Sequence, residues 1–158
     1  MMQKHITKLE NMSFESVNNL SIEKLGHFNL FSNKSENGYD NIIEAIYDNI
    51  IEPNNDRNKK FLLKENFLHN VHCRELKSYF SHYLGTMVKF SKYQIFATTQ
   101  RLDVIQAFAE VAQEYQDIEA YYYRLGRSAI PSDNNKSIVS MYTIDELIEA
   151  INKNREVR

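Results

Sequence analysis

Residues 102–126 read LDVIQAFAEVAQEYQDIEAYYYRLG, and how that stretch is read decides the fold. Val104, Phe108, Val111, Tyr115, Ile118, Tyr122 and Leu125 recur at alternating spacings of four and three. That is the stripe an amphipathic helix buries. Leu102, Ile105, Ala109 and Ala112 widen it, and Gly126 directly after Leu125 is a natural helix C-cap. The pattern predicts one long helix from after Thr99 to Leu125, wrapped by neighbours.

Working outward, the same spacing suggests further helices. Ile6, Leu9 and Met12 recur every third residue, as do Phe14, Val17 and Leu20, so short helical elements are expected before Gly26. Residues 33–38, NKSENG, read as a loop, and YDNIIEAIYDNIIE (residues 39–52) as a helix ended by Pro53. Residues 59–84 look helical up to Gly85; residues 86–99 suit strand or helix and are assigned to helix. On the carboxyl side, GRSAIPSDNNKS (126–137) is a loop and SIVSMY (137–142) a short strand or extended connector. Thr143 and Glu146 have capping-box spacing and open a last helix to about Asn154. The expected fold is mainly α: a single-domain helical bundle of five or six helices over residues 1–158, with room for one short strand pair near Ile138.

Composition narrows the function. The chain has 158 residues, 42% hydrophobic and 25% charged, as an ordinary globular domain has. Its net charge of −2 is not the basic balance of a phosphate-binding surface, so no nucleic-acid partner is expected. One cysteine forms no internal disulfide, the amino terminus has no signal-like apolar run, and no stretch nears the roughly 20 apolar residues of a membrane span. A cytoplasmic protein without membrane contact is expected. The abundance of Asn, Ile, Lys and Tyr suggests AT-rich coding, as in a bacterium or its phage. Glycine-rich phosphate loops and G-x-S-x-G nucleophile elbows are absent from the sequence.

FLHNVHCRELKSYFSHY (residues 67–83) gathers three histidines and the only cysteine. On a helix at about 100° per residue, His69 and Cys73 share the apolar face of Leu76, Phe80 and Leu84. His72, Glu75 and His82 line a second stripe. His82 points away from Cys73, so the four do not converge as zinc ligands do. No cofactor is expected. The alternative is a metal-dependent helical enzyme whose His72, Glu75 and His82 face Glu114 across two helices.

Binding features are stronger. Asp40, Glu44, Asp48 and Glu52 repeat every fourth residue, and like charges at that spacing each cost a helix about 0.2–0.5 kcal/mol. Such an acidic ridge suits a partner with a basic surface. On the long helix Tyr121 and Tyr123 would flank the stripe, partly exposed beside Arg124 and Arg127, and these residue types are enriched at interfaces. The sequence therefore points to a non-enzymatic protein–protein interaction protein: an adaptor, a secretion chaperone or a toxin-neutralising, immunity-type protein. Its surfaces would be the acidic helix and the tyrosine-rich helix end. A homodimer through the helix of residues 104–125 is a further expectation.

Overall fold

The computed structural model describes residues 5–15, 17–33, 41–48, 60–63, 71–90 and 93–157. It is a mixed α/β fold, with seven strands and four helices among the described residues, not a helical bundle. In chain order the elements are β1 (Leu9–Phe14), β2 (Val17–Ile22), β3 (Phe28–Asn33), α1 (Asn41–Ile46), β4 (Lys60–Leu63) and α2 (Cys73–His82). A π-helical turn (Tyr83–Val88) continues α2, and then come β5 (Gln94–Thr98), α3 (Leu102–Ala112), β6 (Ala120–Arg127), β7 (Ser137–Tyr142) and α4 (Ile144–Asn152). The main sheet runs β4–β5–β3–β6–β7, parallel through its first four strands, with β7 antiparallel on β6.

The helix expected over 102–125 is two elements. α3 ends at Ala112, where Gln113 N–H still bonds Ala109 O; a turn follows, and the tyrosine run becomes β6. Tyr122 then points into the core with Phe28 and Phe108, while Tyr121, Tyr123 and Leu125 point into the core on the other face. A strand buried on both faces shows no polar alternation, so its sequence can pass for a helix stripe. Tyr is a good strand former, and pairing with β3 across residues 120–125 decides the outcome. Residues 86–99 resolve the same way: the π-helical turn ends at Val88 and β5 follows, every residue of it buried. Among the described residues of 59–84, residues 60–63 are strand β4 and Cys73–His82 is α-helix.

The first two strands misled for a different reason. Leu9 pairs with Ile22, Met12 with Leu20 and Phe14 with Val17, so each strand carries one extra residue at a different step. Those steps hold Asn11 and Asn19, both at φ 51°, the left-handed region that Asn tolerates better than most residues. Ser21 Oγ accepts the Asn11 N–H at 3.0 Å, and Ser13 Oγ accepts the Asn19 N–H at 2.9 Å. The two bulges are thus reciprocal, and LENMSF and VNNLSI are near-copies carrying Asn and Ser at the same places. A bulge turns a strand's period of two into a local period of three. That is why Leu9–Met12 and Val17–Leu20 resembled a helix.

The main sheet carries a core on each face. Against one face lie α1 and the β1–β2 hairpin, burying Leu9, Met12, Leu20, Ile42 and Ile46 over Phe31, Phe96 and Tyr123. Against the other lie α2, α3 and α4, burying Leu76, Phe80, Phe108 and Leu147 over Phe28, Ile95 and Tyr122. The β3–α1–β4 and β5–α3–β6 connections leave in opposite directions across opposite faces, so both have one hand, as crossovers in parallel sheets require. Two local readings hold: residues 137–142 form a strand, and Thr143 and Glu146 make the capping box of α4.

Two glycines make a paired test. A Cβ on Gly26 would lie 2.4 Å from Glu119 O, a backbone atom that cannot yield cheaply, whereas a Cβ on Gly126 would meet only Ile138 at 3.9 Å. Gly26→Ala is expected to lower stability in urea unfolding by about 1–3 kcal/mol. Gly126→Ala, within a strand, is expected to leave stability level or raise it by about 0.5–1 kcal/mol. Equal effects from the two changes would contradict this packing.

Candidate functional site

The residues expected to bind are scattered. Glu44 of α1 is half-buried and Asp48 exposed, whereas Asp40 and Glu52 lie outside the described residues. Tyr121 and Tyr123 are not a surface patch: they are 8% and 0% exposed, because β6 is an interior strand covered on both faces. Tyr123 stacks on Phe31 at 4.8 Å and donates its hydroxyl proton to Lys24 O at 2.6 Å. Arg124 is half-buried and Arg127 exposed, its Nη1 donating to Asn135 O at 3.0 Å. The helix expected to dimerise stops at Ala112, and Val104, Ile105, Phe108 and Val111 are spent on the chain's own core.

The histidine stripe does not assemble either. His72 sits at the N-cap of α2, while Glu75, His82 and Glu114 are exposed. His69 lies outside the described residues, and Cys73 opens α2. Among the described residues no three His, Cys, Asp or Glu side chains come together as metal ligands do, so His72, Glu75, His82 and Glu114 do not form the alternative metal site. What links α2 to α3 there is the Lys77–Glu110 ion pair at 2.5 Å.

Parallel sheets of this kind bind ligands at the carboxyl ends of their strands, where neighbouring strands send their connections to opposite faces. Here β3 leads to α1 and β5 to α3, so that point falls between them. Ser32, Thr98 and Thr99 lie there, all buried. Arg101 follows, but its guanidinium is already committed: Nε and Nη2 meet the two oxygens of Asp103 at 3.1 and 2.7 Å. The same carboxylate accepts Val104 N–H at 3.0 Å at the start of α3, and the Arg101 guanidinium holds Asp103 below the usual carboxylate range. The chain's tail returns against β6. Asn154, at φ 53°, turns it back after α4, the Tyr122 hydroxyl donates to Val157 O, and Arg124 Nη1 reaches Glu156 O at 3.4 Å.

The amino ends of the strands are built differently. Asn29 and Gln94 are fully buried, and their amides serve the backbone. Gly26 N–H donates to Asn29 Oδ1 at 2.8 Å, and Asn29 Nδ2 returns to Gly26 O at 2.9 Å and Ile95 O at 3.2 Å. Gln94 holds Ile6 both ways, accepting its N–H at 3.0 Å and donating to its carbonyl at 2.7 Å, and also donates to Gly26 O at 3.0 Å. These bonds fix residues 5–7 and 24–27 against the sheet and set the rings of His5 and His27 edge to face, with centroids 4.9 Å apart. His27, Val88, Lys89, Asp117, Ile118 and His5 line a cleft of about 250 Å³. Lys89 Nζ lies 3.4 Å from Asp117 Oδ2 across it.

Sequence reasoning missed this group. Its one signal is a single amide inside an apolar run, Asn29 in FNLF and Gln94 in QIFA, because a buried amide must serve something. No protein-family model matches the chain, and neither the curated proteins nor the solved structures contain a match to it.

Burial raises Tyr122 and Tyr123 well above the ordinary tyrosine pKa, desolvation of the phenolate being the largest cause in each. The unfolded chain therefore loses those protons first, so their contribution to stability is complete below about pH 10 and declines above it, by about 1.4 kcal/mol per pH unit for each ring. Spectrophotometric titration of the ten tyrosines is expected to leave these two un-ionised until the protein unfolds in alkali. Ionisation of all ten near the ordinary value with the fold intact would contradict their burial.

Proposed function

We propose that this chain is a non-enzymatic protein-binding protein, of the adaptor or toxin-neutralising kind, and that its docking surface is the outer strand β7. The observation that carries the reading is the set of exposed apolar side chains on and beside that strand: Ile138 at 44%, Met141 at 40% and Ile130 at 59% exposure. β7 ends the sheet order, and its sequence, SIVSMY, has no charge and no proline. Outer strands are normally blunted by such residues because their unpaired backbone recruits other strands. The hairpin meets β7 at its start, through Asn18 N–H to Ser137 Oγ at 2.8 Å.

The partner is an extended acidic segment that adds a strand to the sheet. Ile138 lies on the Tyr122 side of the sheet and Met141 on the Tyr123 side, so apolar contacts alternate along such a segment. Arg124 and Arg127 stand opposite Ser140 and Ser137 on β6, which supplies cations for its carboxylates. The probe is a fluorescein-labelled ten-residue peptide alternating Glu with Val and Ile, followed by anisotropy. Saturable binding that weakens at least about fivefold, roughly 1 kcal/mol, in Met141→Lys and in Arg127→Glu supports the reading. Binding that is absent, or indifferent to both changes, overturns it.

A further inference from the structure

We propose that the cleft at the amino ends of β3, β5 and β6 binds a small organic carboxylate with a short apolar body. The cleft is separate from β7, and its argument does not depend on what docks there.

Its construction is the first support. Two fully buried amides, Asn29 and Gln94, spend most of their hydrogen bonds on Ile6 and Gly26, holding in place the two segments that carry His5 and His27. His27 is pinned further, its backbone N–H to Glu119 O at 2.7 Å and its carbonyl to Ile95 N–H at 2.8 Å. Only its ring torsions remain adjustable. Yet its Nδ1 is buried without a hydrogen-bond partner, a state that costs about 1–3 kcal/mol. A turn of the ring about its side-chain bonds would bring that nitrogen to the cleft as an N–H donor, and a ligand oxygen would accept from it.

The lining selects the ligand. The His27 imidazole and the Lys89 ammonium offer donors to an anion, with His5 edge-on beside His27, while Val88 and Ile118 offer an apolar wall. Asp117 does not close the site against an anion. Its contact with Lys89 is long at 3.4 Å, both side chains face solvent (61% and 41% exposed), and such surface pairs are weak. Lys89 can therefore be shared with a ligand carboxylate. A bare phosphate would leave the apolar wall unused. The volume of about 250 Å³ is below the roughly 300–1,000 Å³ of sites for drug-sized molecules, so the occupant is a compact acid.

The test is an NMR titration of the full chain with sodium butyrate, with 1-butanol and ethylammonium chloride as matched controls. Saturable shifts in the imidazole signals of His5 and His27 and in the Ile118 amide are expected, with a Kd on the order of millimolar for so small a ligand. Lys89→Gln, a change at a solvent-facing side chain, should weaken butyrate binding at least threefold while leaving the remaining spectrum in place. Shifts that grow linearly without saturation, that 1-butanol or ethylammonium reproduces, or that survive Lys89→Gln undiminished would overturn the assignment. Shifts confined to His72 and His82 would overturn it equally.

Discussion

The rest of the fold depends on the double burial of β3. Phe28, Leu30 and Phe31 are wholly buried, the first two on one face of the sheet and the third on the other. A strand in that position must have a neighbour on each edge and a layer on each face, because neither its backbone nor its side chains reach water. β5 and β6 supply the edges, both parallel to it. Parallel neighbours cannot be joined by tight turns, so the chain needs crossovers, and α1 and α3 stand on opposite faces for that reason.

The two layers are unequal. Among the described residues three helices cover one face, but on the other the β1–β2 hairpin shares the work with α1. A flat hairpin would match a twisted sheet poorly, and the paired bulges at Asn11 and Asn19 supply the extra local twist. Ser13 and Ser21 satisfy the backbone groups those bulges would otherwise leave unpaired. The hairpin is therefore a built layer, and its leading segment brings His5 to the amino end of the sheet.

The polar residues divide between the ends of the sheet. At the carboxyl ends Arg101 and Asp103 neutralise each other, and residues 155–157 close over Tyr122 and Arg124. At the amino ends Asn29 and Gln94 are satisfied by backbone, leaving the imidazole pair and Lys89 to face a cleft. The carboxyl end thus combines an internal ion pair with the buried Ser32 hydroxyl, and the amino end combines the histidine pair with the Lys89–Asp117 ion pair. β7 adds a third feature, an uncharged outer strand with apolar side chains on both faces.

Local chemistry alone determined several things. The capping box at Thr143 and Glu146, the strand at 137–142 and the helix opening near Leu102 follow from neighbours within a few residues, and they stand as read. Tertiary structure decided the rest. Whether AYYYRLGR is helix or strand turns on β3, about ninety residues earlier, because helix and strand preferences of tyrosine differ by less than the gain from pairing and burial. The bulges hid two strands for a related reason: their period of three has meaning only against the partner strand. The cleft was the least legible. His5, His27, Lys89 and Asp117 are far apart in sequence, and the register of β3 against β5 and β6, with the two buried amides, sets them side by side.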